Sequence, residues 1–176
     1  MNLILTMAGR YSRFVNEGYR IPKYLLPWGD KSILSEIVHE LNKNNDFENI
    51  FFIANKRDEI YMPHVRRILK TINVSTEYLF LISDTSGQAE TAYQAIINIQ
   101  ERIGKIEGPL VFHNIDTLLY ERDFSSLSVK LKSNQGYVDI FKSSNHNYSY
   151  VLVEEGKVQS IVEKIVISDN ATSGLY

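Results

Sequence analysis

Two cations follow a short glycine-containing stretch near the start of the chain. Arg13 closes Met7-Ala8-Gly9-Arg10-Tyr11-Ser12-Arg13-Phe14, and Lys23 lies inside Ile21-Pro22-Lys23-Tyr24-Leu25-Leu26-Pro27. A glycine at the C-terminal end of a strand lets backbone N–H groups approach a phosphate closely. Fixed positive charge beside it is what polyphosphate chemistry needs, because charge on the reacting phosphate and on a departing pyrophosphate must be neutralised. Pro22 and Pro27 stiffen the chain around Lys23. An Arg and a Lys on a loop are, taken alone, more often two solvated side chains; the adjoining strand-end glycine shifts the balance toward a phosphate site.

Further stretches carry chemistry-bearing residues. Thr85-Ser86-Gly87-Gln88-Ala89-Glu90-Thr91 places a glycine before a helical pattern, and a helix N-terminus favours anions; a plain helix cap explains it equally well. Val111-Phe112-His113-Asn114-Ile115-Asp116-Thr117 is an apolar run ending in an acid. Asp116 suits a hard dication, which takes oxygen ligands, and suits a turn equally. Val162-Glu163-Lys164 is a charged pair after a strand pattern, commonly just a solvated pair. His39, His64, His113 and His146 have no metal-ligand spacing.

In this order the motifs resemble the sugar-phosphate nucleotidyltransferase superfamily, whose members open with a strand, a loop of pattern A-G-x-G-[ST]-R-[LF] and then P-K-x-L-x-P. Ala8, Gly9, Ser12, Arg13 and Phe14 match the first pattern; Pro22, Lys23, Leu25 and Pro27 match the second. Tyr11 departs from it, standing where glycine is usual, so that its side chain is expected to narrow or rearrange the phosphate loop. The resemblance implies that an NTP is joined to a sugar 1-phosphate or similar phosphorylated metabolite with release of pyrophosphate. It implies catalytic roles for Arg13 and Lys23 and nucleotide binding by Ala8, Gly9, Arg10, Ser12, Gly87 and Gln88. Mg2+ would sit on Asp116. Acceptor contacts would come from Asn114, Glu163, Lys164, Asn170 and Gly174. The S-R-F, G-Y-x-x-P-K form of the opening is similar to bacterial members tied to capsule and lipopolysaccharide precursors.

The elements that must position these residues are legible in the hydrophobic pattern. Strands are expected at 2–8, 49–55, 77–82 and 109–115. Helices are expected at 31–44, 61–72, 89–103 and 123–132. Alternating strand and helix implies right-handed β-α-β units around a parallel sheet. Strands at 137–142, 149–154 and 158–163 follow without helices, the last two joined by a hairpin at Glu155-Gly156-Lys157. The fold class expected is α/β: a Rossmann-like three-layer α/β/α domain with a mixed, mainly parallel sheet. Residues 1–176 are read as one domain, with 1–115 as the nucleotide-binding half and 116–176 as the acceptor-binding part.

The bulk properties narrow the alternatives. The chain has 176 residues and a net charge of −2, so there is no basic footprint for nucleic acid. It has no cysteine, which excludes a disulfide scaffold, thiolate metal sites and a thiol nucleophile. The apolar start is too short for a membrane span and has no leader pattern, so a cytoplasmic location without membrane partners is expected. No Walker A motif, dinucleotide fingerprint or hydrolase elbow is present. Relative to the family the C-terminal part, with a second metal-binding acid, is expected to be missing, and self-association to cover the exposed core surface. Two other readings stand beside the first: a glycosyltransferase of related fold, since Asn114-x-Asp116 has D-x-D spacing, and a non-catalytic module that binds a nucleotide or sugar phosphate.

Overall fold

The computed structural model describes residues 1–72, 77–131 and 135–176. The apolar run at the start forms β1 (Asn2–Thr6), buried along its whole length. A short helix α1 (Ser12–Asn16) and a two-stranded hairpin, β2 (Pro27–Trp28) with β3 (Lys31–Ser32), break up the long loop that follows. Then come α2 (Ile33–Leu41), β4 (Asn49–Asn55), a 3₁₀ segment at Lys56–Tyr61, α3 (Met62–Leu69), β5 (Glu77–Ile82), α4 (Gln88–Arg102), β6 (Leu110–Asn114) and α5 (Phe124–Lys130).

The strand order is β5-β4-β1-β6, every pair parallel. From β1 the chain steps outward to β4 and β5, then jumps back across β1 to β6. Right-handed crossovers put connections running in opposite directions on opposite faces of the sheet. So α2 and α3 cover one face and α4 the other. On the α4 side, Ile4, Phe51, Ile53, Phe80 and Ile82 pack with Ala95 and Ile99, the alternate residues that a pleated strand must present to one face. Leu3, Leu5, Ile50 and Phe52 point the opposite way and are also fully buried. The apolar stripes available to cover them are Leu34, Ile37, Val38 and Leu41 of α2 and Met62, Val65 and Leu69 of α3.

Local chemistry sets the boundaries. The Ser32 hydroxyl accepts from the Ser35 N–H at 3.1 Å and caps α2; the helix therefore starts at Ile33, and Lys31–Ser32, expected to be helical, belong to the hairpin. Pro63 falls in the first turn of α3, where its missing N–H costs nothing. The strands expected at 49–55, 77–82 and 149–154 have those bounds. Of the helix expected at 123–132, Lys132 lies outside the described residues.

Two compact units emerge, Met1–Lys130 and Leu131–Tyr176. Residues 116–130, expected to go with the later part, stay with the first unit. The Phe124 ring packs edge-on to Phe47 at 5.0 Å, and the Ser125 hydroxyl donates to Asp46. The second unit carries an antiparallel sheet of order β7-β10-β8-β9, made of β7 (Ile140–Lys142), β8 (Ser149–Glu154), β9 (Lys157–Glu163) and β10 (Asn170–Thr172). Glu155 and Gly156 form its two-residue hairpin loop, with φ of +49° and +73°, the double left-handed geometry that matches strand twist. The later strands thus form a sheet separate from the parallel one.

The Phe51 ring is fully buried and stacks on Tyr78 at 5.1 Å and on Phe80 at 6.4 Å. Phe51→Ala should cost about 3–5 kcal/mol. Urea unfolding reads this out; an unchanged midpoint would contradict the assigned core.

Candidate functional site

In open parallel sheets, ligands bind beyond the carboxyl ends of the strands, where the strand order reverses. Here the reversal lies at β1 and β6. The chain leaving β1 runs through Met7 and Ala8 to Gly9 and Arg10. The chain leaving β5 supplies Thr85, Ser86, Gly87 and Gln88, and the chain leaving β6 supplies Ile115 and Asp116. These residues, with Thr6, Lys23, Thr91 and Asn114, line one cleft of about 330 Å³, large enough for part of a nucleotide.

Of the sequence-predicted residues, the cleft brings together Gly9, Arg10, Lys23, Gly87, Gln88, Asn114 and Asp116. The Lys23 ammonium donates to Asp116 Oδ2 at 2.7 Å. Lys23 is only 17% exposed and Asp116 is half-exposed, so the lysine is held while its partner faces the open side. The Asn114 Oδ1 is buried and has no hydrogen-bond partner among the described residues. It lines the same cleft, two residues before Asp116. An unsatisfied buried oxygen is costly, and a ligand in the cleft would relieve it. Among the described residues no cluster of three or more His, Asp or Glu could hold a metal. One carboxylate and one amide oxygen nevertheless suit Mg2+, which usually takes few protein ligands and fills its shell with substrate phosphates and water.

The remaining predicted residues stand elsewhere. Ala8 is core: its methyl packs with the α4 cluster, and its carbonyl accepts from the Arg57 guanidinium at 3.1 Å. Ser12 and Arg13 open α1, and both are exposed. Glu163, Lys164, Asn170 and Gly174 belong to the second unit. Glu163 and Lys164 pair with each other at 2.9 Å, and Lys164 adopts a left-handed φ of +58°. Lys142 holds the Asn170 Oδ1 and Asp169, each at 2.8 Å.

Neither Gly9 nor Gly87 has a left-handed backbone; Gly87 is extended, and a Cβ at either position would meet nothing within 4 Å. What these glycines leave open is cleft volume. Just past Gly87, Glu90 accepts from the Ser86 N–H at 2.7 Å and from its hydroxyl at 2.6 Å. These donors hold its carboxyl below the usual range and keep the turn closed over the start of α4.

Tyr11 does not obstruct the loop. Its hydroxyl turns away to Asp58 Oδ1, at 2.8 Å, and Tyr11 is not among the cleft-lining residues. Of the narrowing or rearrangement expected from this side chain, the structure shows a ring outside the cleft lining whose hydroxyl is claimed by a buried acceptor. Burial and the adjoining Asp58 push the Tyr11 phenol up to about 12.

The supporting shell was not anticipated. Asp84, just beyond β5, takes the Arg10 guanidinium at 2.8 Å, the Arg57 guanidinium at 2.9 Å and the Asn55 amide at 2.8 Å. Hydrogen bonding from Arg10 is the main cause that holds its carboxyl below the usual range. His113, fully buried in β6, bonds through Nε2 to the Thr117 carbonyl at 2.9 Å and braces the Asp116 loop. Asn55, Arg57, Asp58 and Asp84 all stand at or just past a strand's carboxyl end, which is the signal that could have found them.

No family model matches the chain. It is 26% identical over 164 residues to the bifunctional protein GlmU of Wolbachia sp. subsp. Brugia malayi (strain TRS), covering 92% of this chain and 36% of that protein. The chain thus spans about a third of that relative's length. Among solved structures, a nucleoside-diphosphate-sugar pyrophosphorylase from Vibrio cholerae RC9 superposes with a TM-score of 0.82 at 25% identity, over 99% of this chain and 71% of that one. A UDP-glucose pyrophosphorylase complexed with UDP-glucose does so with a TM-score of 0.71 at 20% identity, over 99% and 74%. The fold is the Rossmann-like α/β fold that these structures share. Within it, the chain's likeness is to the nucleotide-diphospho-sugar pyrophosphorylases, as the order of its motifs implied. No described helix is long and apolar enough to cross a membrane.

The Tyr11–Asp58 bond carries a pH signature. A phenol raised in the folded state stabilises fully below its unfolded value near 10, and that contribution fades as pH rises through about 12. The tyrosinate absorbance of the native protein minus that of Tyr11→Phe should titrate near 12; a midpoint near 10 would contradict the bond.

Proposed function

We propose that this chain provides the nucleotide site of an Mg2+-dependent nucleotidyltransferase that couples an NTP to a sugar 1-phosphate or similar phosphorylated metabolite and releases pyrophosphate. The observation that carries this reading is the convergence of Lys23 and Asp116 with the Gly9 and Gly87 turns at one end of the parallel sheet. The nucleotide lies across Gly9–Arg10 and the Gly87–Gln88 turn, where glycines leave room for it. Asp116, with the Asn114 oxygen beside it, would hold Mg2+, which neutralises charge spread over the phosphates.

Lys23 stabilises the negative charge that grows on the α-phosphate. Arg13, three residues past the cleft-lining Arg10, meets the departing pyrophosphate. An oxygen of the acceptor phosphate attacks the α-phosphorus while the bond to pyrophosphate breaks. That oxygen is already ionised at neutral pH, so no general base is required. The protein contributes alignment and charge neutralisation. Glu163, Lys164, Asn170 and Gly174 are proposed to contact the acceptor. The form of the opening motif supports a place in the cytoplasmic synthesis of surface-polysaccharide precursors. A lysine at the aspartate favours nucleotidyl over glycosyl transfer, which has no need of it.

The protein should release pyrophosphate from one of CTP, UTP, GTP, ATP or dTTP when Mg2+ and a sugar 1-phosphate are supplied. Lys23→Ala and Asp116→Ala should each lower that rate by roughly 10²-fold or more with the fold retained. Equal turnover in either variant would refute its role. Nucleotide binding without any pyrophosphate release would support a binding module instead.

A further inference from the structure

The 3₁₀ segment Lys56–Tyr61 lines no part of the cleft, yet its side chains reach the loop between β1 and β2 at successive points. The Arg57 guanidinium donates to the Ala8 carbonyl at 3.1 Å. The Tyr11 hydroxyl donates to Asp58 Oδ1 at 2.8 Å, and the Tyr24 hydroxyl to Asp58 Oδ2 at 3.1 Å. The Tyr61 hydroxyl donates to the Arg20 carbonyl at 2.7 Å. The centre of this brace is Asp58, which is wholly buried, as is Tyr24.

A buried carboxylate is an expensive way to hold two rings together; apolar packing would do it at lower cost. What it adds is direction. Each oxygen fixes one hydroxyl, so Tyr11 and Tyr24 are set at a defined separation rather than merely in contact. Tyr11 lies two residues after Gly9, and Tyr24 is the neighbour of Lys23. The two tethered positions are therefore the ones that fix the glycine loop relative to the lysine.

We infer that Asp58 is a positioning residue for nucleotidyl transfer, holding Lys23 and the Gly9 loop in register through the hydroxyls of Tyr24 and Tyr11. The inference rests on the reading of the cleft given above. Tyr11 then has a reason to stand where a glycine was expected: it exchanges loop freedom for a tether.

The test uses Asp58→Asn, Tyr24→Phe and Tyr11→Phe in the full chain, with circular dichroism confirming the fold. One arm needs no turnover. Acetylation of Lys23 in the nucleotide-free protein is followed by mass spectrometry, with the 82%-exposed Lys105 as internal reference. Loosening the brace should raise the relative rate at Lys23 about fivefold or more. The second arm separates kcat from KM: kcat should fall about tenfold or more, with KM for the nucleotide within about twofold. Should Asp58→Asn fail to fold, Tyr24→Phe and Tyr11→Phe carry the test. Folded variants with unchanged Lys23 labelling and unchanged kcat would overturn the inference, however much stability they lose. If the native protein turns over no NTP, the reaction proposed above fails, and the labelling arm still decides whether Asp58 sets the lysine.

Discussion

Lys23 and Asp116 are 93 residues apart in sequence and 2.7 Å apart in space. Their meeting depends on the strand order. Lys23 lies on the loop that leaves β1, and Asp116 lies just past β6. Only because β6 returns to pair with β1, in parallel and in the register Thr6 to Asn114, do both loops open at the same end of the sheet. The pair is also chemically economical. Each charge neutralises the other at the cleft, and under the proposed reaction these are the groups that a nucleotide polyphosphate and its cation would engage.

Around that pair the protein invests in rigidity. Asp84 gathers Arg10, Arg57 and Asn55, so loops after β1, β4 and β5 share one carboxylate. Asp58 gathers Tyr11 and Tyr24. His113 holds the Thr117 carbonyl and with it the Asp116 loop. Catalysis by charge neutralisation gains most when the charges need not reorganise. Under the proposed reaction, a shell of directional polar contacts around a glycine-lined cleft would meet that need better than apolar packing alone.

The fold was readable because buried parallel strands are near-continuous apolar runs and their helices repeat at 3.6 residues. β4 and β5 kept their expected bounds for that reason. The loop between β1 and α2 was not readable in detail: α1 and the β2–β3 hairpin are too short to show a period. Cleft-lining residues such as Gly9 and Asp116 past strands, and Gly87 before a helix, were legible from position. The supporting acids carry only their place past a strand end as a signal, and their roles emerge once Tyr11 and Arg10 are seen to reach Asp58 and Asp84 across 47 and 74 residues. The direction of the Tyr11 ring was not legible either, because it depends on a distant carboxylate and not on its neighbours.

On the proposed reading, the nucleotide lies in the cleft at the carboxyl ends of β1, β5 and β6. The decisive measurement is backbone amide NMR of the labelled protein, titrated with each NTP in the presence of Mg2+. Saturable shifts are expected at Gly9, Arg10, Gly87, Gln88 and Asp116 with at least one NTP, while Lys105 and its neighbours stay in place. Saturable shifts confined to residues away from the cleft, or none with any NTP, would contradict it.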